Sequence, residues 1–210
     1  MTIKILQLPL GPLQTNCYVL ACEETGKTAV IDPSDFGQKI ADTVAENGWE
    51  VSHILLTHSH FDHVGGLAEL KAATNAPIYI HPDAVAMLAM AEVAAARWNI
   101  PITPPPPADN MLAEGDIIEV GKQKLEVLFT PGHAPGHVCF YLREHNVLFD
   151  GDVLFQQSIG RTDLPGGNYE LLMQSIQEKL LPLPDGTHVL SGHGPATTIG
   201  QEKQWNPFLS

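Results

Sequence analysis

Four short apolar runs rich in β-formers end directly in histidine or aspartate. Residues 53–57 (HILLT) lead into His58-Ser59-His60-Phe61-Asp62-His63, and 124–130 (KLEVLFT) lead into Pro131-Gly132-His133. Residues 146–150 (NVLFD) lead into Gly151-Asp152, and 188–192 (HVLSG) into His193. A chain that gathers these groups must fold so that the ends of separate strands meet. In an extended backbone, residues two apart point to one side, so His58 and His60 can converge on one ion as their strand ends. Asp62 and His63, past a turn, can face a neighbouring ion. Gly65 and Gly66 remove side chains from the start of the next helix and let backbone pack closely against this loop. Two Pro-Gly turns fix where His133 points and precede His137, and His193 stands between two glycines. Asp150 and Asp152 both follow an apolar strand, and either could be the ligand on chemistry alone. His53, His145 and His188 read as ordinary structural histidines, whereas His81 and His137 are candidates to support the ligands.

Taken together, His58, His60, Asp62, His63, His133, Asp152 and His193 supply five imidazoles and two carboxylates with no thiolate. That is more than one tetrahedral ion with an open position can use. The set suits two divalent ions with three terminal ligands each and one shared carboxylate. Nitrogen and oxygen donors favour Zn(II), the first expectation, with Fe(II) or Mn(II) as the other candidates, over soft-metal or iron-sulfur chemistry. Two such ions, roughly 3.5–4 Å apart, can bridge a water and lower its pKa toward about 7.

The remaining sequence describes a single domain over 1–210. Its 44% hydrophobic and 17% charged residues suffice for a sizeable core. Strands are expected at 3–8, 16–22, 28–32, 53–57 and 78–81, with helices near 35–47 and up to about residue 74. A second batch of strands covers 117–120, 124–130, 138–142 and 146–150. A helix over 169–181 (YELLMQSIQEKLL) follows, and 188–192 is expected as the last strand. Two batches of strands with helices between and after them imply an α/β fold of two sheets with helices outside. Residues 82–110 stand apart, an Ala- and Met-rich helical stretch running into the stiff connector Pro104–Pro107, and could form a lid. Eleven Lys plus Arg against twenty-four Asp plus Glu leave a charge of −13, which opposes binding to nucleic acid or anionic membrane. No signal-type or membrane-spanning run is present, and Cys17, Cys22 and Cys139 form no CxxC, so a cytoplasmic protein without disulfides is expected.

The THSHFDH stretch resembles the H-x-H-x-D-H signature of the metallo-β-lactamase superfamily, and the similarity runs over essentially the whole chain. The resemblance implies an αβ/βα four-layer sandwich with the metals at one edge between two mixed sheets. It implies that His58, His60 and His133 hold one metal, that Asp62, His63 and His193 hold the other, and that Asp152 bridges. Asp32 would orient the ligand loop through hydrogen bonds. Within the superfamily, TPGHAPGH, LFDGDVLF, SIGRTDLPGG, SGHGPATTIGQE and NPFL are most similar to small glyoxalase II-like (hydroxyacylglutathione) hydrolases. That similarity implies cleavage of S-D-lactoylglutathione to D-lactate and glutathione by a bridging metal hydroxide. Asp62 would accept a hydrogen bond from the hydroxide, and Arg161 would contact the glutathione moiety. Longer glyoxalases carry a C-terminal helical segment with further glutathione contacts, and this chain stops at Ser210.

A thioester suits such a site because a thiolate leaves without a dedicated general acid. The rival chemistry is a persulfide dioxygenase, in which His58, His133 and Asp152 would hold one Fe(II) as a facial triad. A non-catalytic metal-binding protein is the third reading. A true β-lactamase usually has cysteine at the place of Asp152 or lacks His63, and this chain does neither. The expected partner is a small glutathione-linked thioester; oligomeric state is not legible.

Overall fold

The computed structural model describes residues 2–209. The first half builds a six-stranded sheet from β1 (Ile3–Leu10), β2 (Thr15–Cys22), β3 (Lys27–Ile31), β4 (Glu50–Leu55), β5 (Ile78–Ile80) and β6 (Asn110–Met111), in that spatial order. The second half builds another from β7 (Ile117–Val120), β8 (Gln123–Phe129), β9 (Val138–Leu142), β10 (Val147–Gly151), β13 (His188–Ser191) and β14 (Thr197–Thr198). A small hairpin, β11 (Leu154–Phe155) with β12 (Ser158–Ile159), lies outside both. Each sheet is mixed, because β3, β4, β5 and β6 pair in parallel and so do β10 and β13.

Side-chain alternation explains the layering. Along β2, Cys17 and Val19 point to one face and pack with Ile40 and Val44 of α1 (Gly37–Glu46) and Leu67 and Leu70 of α3 (Leu67–Thr74). Tyr18 and Leu20 point the other way and meet Val127, Val138, Phe140 and Phe149 of the second sheet. On the far face of that sheet, Cys139, Tyr141 and Leu148 pack under Leu172 of α6 (Tyr169–Ser175) and Ile199 of α7 (Ile199–Trp205). The order is therefore helix, sheet, sheet, helix. Strands β2 and β9 are buried at every position, as expected when both faces are covered.

Several expectations need correction. The strand at 188–192 is not the last, since β14 and then α7 follow it. The helix expected over 169–181 is α-helical only to Ser175 and winds as a π-helix over Ile176–Leu180, with Ile176 and Leu180 both buried. The first strand runs past Pro9 to Leu10, which the ladder tolerates because β1 is an edge strand. Residues 82–110 hold not one helix but a 3₁₀ turn, α4 (Val85–Leu88) and α5 (Ala91–Ala96), and 101–108 carry no regular structure. Among the described residues no helix is long and apolar enough to cross a membrane, and all three cysteines are buried and unpaired.

Parallel pairing puts the carboxyl ends of β3 and β4 side by side, and likewise those of β10 and β13. Backbone bonds then tie the two sheets together at that edge: Val138 N–H donates to Thr57 C=O at 2.8 Å and Asn16 N–H to Gly192 C=O at 2.7 Å. The Tyr18 hydroxyl adds a bond to the Ser191 carbonyl at 2.7 Å.

Candidate metal centre

The first cluster grows from the end of β4. Asp32, just past β3, accepts from Thr57 N–H at 2.8 Å and from the Thr57 hydroxyl at 2.6 Å. With its proton given to Asp32, Thr57 Oγ1 can only accept from His58 Nδ1, 3.0 Å away, which leaves His58 Nε2 as a bare lone pair. His63 Nδ1 lies 3.0 Å from Asp32 Oδ2 and donates to it, which leaves Nε2 as the nitrogen that faces the cluster. His133 Nδ1 donates to the Arg161 carbonyl at 2.8 Å. One carboxylate and one carbonyl thereby orient three imidazoles, the usual task of groups behind metal ligands.

These lone pairs converge. His60 Nδ1 stands 3.1 Å from His58 Nε2 and 2.8 Å from His133 Nε2. Burial lowers all three pKa values, His58 far down and His60 to about 4, so the rings stay neutral and able to coordinate.

The second cluster joins Asp62 and His63 to His193, with Asp152 between the two groups. Asp62 Oδ2 lies 3.2 Å from His193 Nε2 and 3.7 Å from His63 Nε2, and accepts from the Thr15 hydroxyl at 2.8 Å. Asp152 Oδ1 lies 3.5 Å from His63 Nε2, while its Oδ2 lies 3.5 Å from His133 Nε2 and 3.6 Å from His193 Nε2. His63 Nε2 and Asp152 Oδ1 are buried without a hydrogen-bond partner. Orphaned buried donors and acceptors of this kind are costly unless something else satisfies them. Imidazole nitrogens, carboxylate oxygens and orphaned atoms facing one another fit a divalent cation pair. The clusters form a binuclear His/Asp metal site.

Burial alone would raise Asp62, but the charge on His63 and the hydrogen bond from His193 bring it down to about 2. Burial opposes charge on His63 and His193, yet it is outweighed, at His63 chiefly by Asp152 and Asp62 and at His193 by the bond to Asp62, so both pKa values rise. An incoming metal must therefore displace protons from the second cluster, and its affinity there should climb as pH rises through and above neutrality. Calorimetric titration of zinc into apoprotein, in two buffers of different ionisation enthalpy, should report net proton release; none would contradict this assignment.

Asp150 takes no part in the cluster. It is buried, accepts from Leu154 N–H at 2.8 Å, and burial pushes its pKa well up. His137 stands behind the ligands, with Nε2 accepting from Asp152 N–H at 3.1 Å and its ring stacked on His58 at 4.9 Å. His81 instead stacks on Phe129. His53 bonds Ser52, and His145 bonds Gln123. Gly65 is needed for close approach, since a Cβ there would meet the Ser34 carbonyl at 2.5 Å. Sequence reading missed Thr57 and Thr15; the only available signal was a hydroxyl flanking a ligand run or strand, which is common.

His133, Asp152, Phe155, Arg161, His193 and Pro195 line an open cleft of about 490 Å³. Arg161 is on its wall, but Nε and Nη2 are bound to Asp163 at 2.7 and 2.8 Å. Beside Asp62, on another side, Leu13, Phe61, Ile100 and Ile102 line a small apolar recess, so the 82–110 segment reaches the site.

Residues 10–193 match the metallo-beta-lactamase superfamily. The chain is 43% identical to the probable metallo-hydrolase YqgX of Bacillus subtilis over 99% of this chain and 98% of that one. It is 39% identical to the hydroxyacylglutathione hydrolase GloC of Haemophilus influenzae over 100% and 99%. Among solved structures it is similar to the BLEG-1 B3 metallo-beta-lactamase, with TM-score 0.92, 44% identity and coverage of 99% and 100%. It is also similar to TTHA1623 in a di-iron-bound form, with TM-score 0.90, 43% identity and coverage of 97% and 100%. The chain belongs to the metallo-beta-lactamase superfamily and is a metal-dependent hydrolase of its two-sheet α/β fold.

Proposed function

We propose that the protein hydrolyses thioesters, with S-D-lactoylglutathione or a close relative as substrate. The observation that carries this reading is the composition of the cleft: beyond the ligand cluster its wall offers Phe155, Gln156, Ser158, Ile159, Arg161 and Pro195, none a proton donor of near-neutral pKa. A thiolate leaves without one, whereas an amine or alkoxide leaving group calls for a general acid. The 39% identity to GloC supports the acyl-glutathione choice.

His58, His60 and His133 would hold one ion and Asp62, His63 and His193 the other, with Asp152 shared. When bound, zinc ions would supply Lewis acidity and water acidified to near neutrality. Asp62, kept ionised and steadied by Thr15, would accept the hydrogen bond that orients the attacking oxygen. Asp32 and the Arg161 carbonyl would keep the imidazole lone pairs aimed inward. The apolar recess would take the acyl side, with 82–110 as its lid. A cytoplasmic setting agrees with three buried free cysteines.

The test is thiol release from S-D-lactoylglutathione by zinc-loaded protein, run beside a β-lactam panel and beside oxygen uptake with glutathione persulfide. β-Lactam hydrolysis is the second reading, favoured by the similarity to BLEG-1. Oxygen uptake without thiol release would replace hydrolysis by dioxygenase chemistry.

Arg161 would donate to a substrate carbonyl at the cleft wall. Arg161→Ala should raise KM about 2- to 5-fold with kcat and metal content unchanged, as expected for one hydrogen bond made equally in ground and transition states. Metal content holds because the His133 anchor is a backbone carbonyl, which alanine keeps. Loss of metal in this variant would make the side chain structural.

A further inference from the structure

The terminal helix α7, absent from the sequence expectation, has no part in the metal centre. It is nonetheless fixed to the cleft. Glu202 is 1% exposed, and its carboxylate accepts from Thr197 Oγ1 at 2.5 Å, Gln157 N–H at 2.8 Å and Asn206 Nδ2 at 2.9 Å. Asn206 Nδ2 also donates to the Ser158 carbonyl at 2.9 Å. A buried carboxylate this fully bonded holds α7 rigidly on the β11–β12 hairpin, whose Phe155 and Ser158 line the cleft.

On the outer side of that hairpin lies a second cleft of about 200 Å³, walled by Gln156, Gln157, Gln201, Glu202 and Trp205. Gln156 is a wall of both clefts. The side-chain amides of Gln156 and Gln157 have no hydrogen-bond partner among the described residues, and Trp205 is 64% exposed. Nearby cations are already neutralised, Arg161 by Asp163 and Lys203 by Asp185. Free amides beside an indole face, without an available positive charge, match a chain of neutral amide groups.

We propose that the carrier of the leaving thiol crosses Gln156 from the metal cleft and lies along Gln157, Gln201 and Trp205, recognised by its amides and not by its carboxylates. This extends the thioester reading by naming the carrier class: an amide-bearing thiol, glutathione or a pantetheine-like chain alike. Helix α7 supplies a contact surface for the carrier's far end.

The test has a binding arm and a kinetic arm. S-Methylglutathione and S-methylpantetheine, which cannot be hydrolysed, should each quench tryptophan fluorescence saturably, equally at 50 mM and at about 500 mM salt, where ionic recognition is screened. The saturable quench should vanish in Trp205→Ala, which leaves Trp49 and Trp98 in place. In turnover, Trp205→Ala and Gln156→Ala should raise KM about 3- to 10-fold for lactoyl thioesters of glutathione and pantetheine, the range of one lost aromatic or hydrogen-bond contact. Trp205→Ala should not change KM for the lactoyl thioester of 2-mercaptoethanol, which is too short to reach. Absent quenching, quenching that persists without Trp205, binding abolished by salt, or equal KM effects on the short thioester would each overturn the carrier site. If ligands bind as described while no thioester is cleaved, the carrier site stands and the thioester reading fails.

Discussion

Asp152→Ala is expected to empty both metal positions together, taking the protein from about two ions per chain to nearly none, with activity down at least about 1,000-fold. The two carboxylate oxygens of Asp152 face different groups, Oδ1 toward His63 and Oδ2 toward His133 and His193, each at 3.5–3.6 Å. Removing them leaves each cluster three donors but strips the negative charge between them, so two cations would face one another without a shared anion. The control is Asp150→Asn. That side chain accepts from Leu154 N–H and faces away from the histidines, and asparagine keeps both its shape and that acceptor. Asp150→Asn should hold its metal. Elemental analysis of both variants decides, and the reverse pattern would make Asp150 the ligand.

The same pair shows where sequence reading stops. Both aspartates follow an apolar strand two residues apart, and alternation would put both side chains on one face if β10 continued straight. Gly151 breaks that symmetry. Its φ of 58° and the register shift between Phe149 and Gly151 turn Asp152 toward the histidines while Asp150 stays in the strand. Nothing in the letters DGD distinguishes the two outcomes. The layers were more legible, because fully apolar runs such as VCFYL demand cover on both faces, and β9 has it. Short elements were not. β6 and β14 are two residues each, below what periodicity can register, and α7 begins in a TTIG stretch whose helical signal, an N-capping Thr198, is local. The π-helical end of the 169–181 segment is invisible to periodicity, because an α-turn and a π-turn alike put Ile176 and Leu180 on one buried face.

The hydrogen-bonded scaffold behind the ligands makes the site vulnerable where no ligand is changed. Gly192 closes β13 just before His193, donating to the Gly151 carbonyl at 2.6 Å and accepting from Asn16 N–H at 2.7 Å. A Cβ on it would stand 2.3 Å from Asp152 Oδ1 and 2.6 Å from His63 Cε1. Neither neighbour can retreat cheaply. His63 is fully buried and pinned by Asp32, and the Asp152 backbone is held by His137. Gly192→Ala must therefore displace His63 and Asp152 at once. The expected result is a folded protein, destabilised by about 1–3 kcal/mol of overpacking. It should retain at most one ion, with kcat lowered at least about 100-fold because the constellation is out of register. Gly186→Ala, where a Cβ meets nothing within 4 Å, is the matched control and should keep both metal and rate. Melting temperature, metal content and turnover measured on the two variants separate the outcomes. Full metal loading and undiminished turnover in Gly192→Ala would show that the clusters tolerate displacement, and that the interlocked Asp32–His63–Asp152 arrangement does not set the positions the metals require.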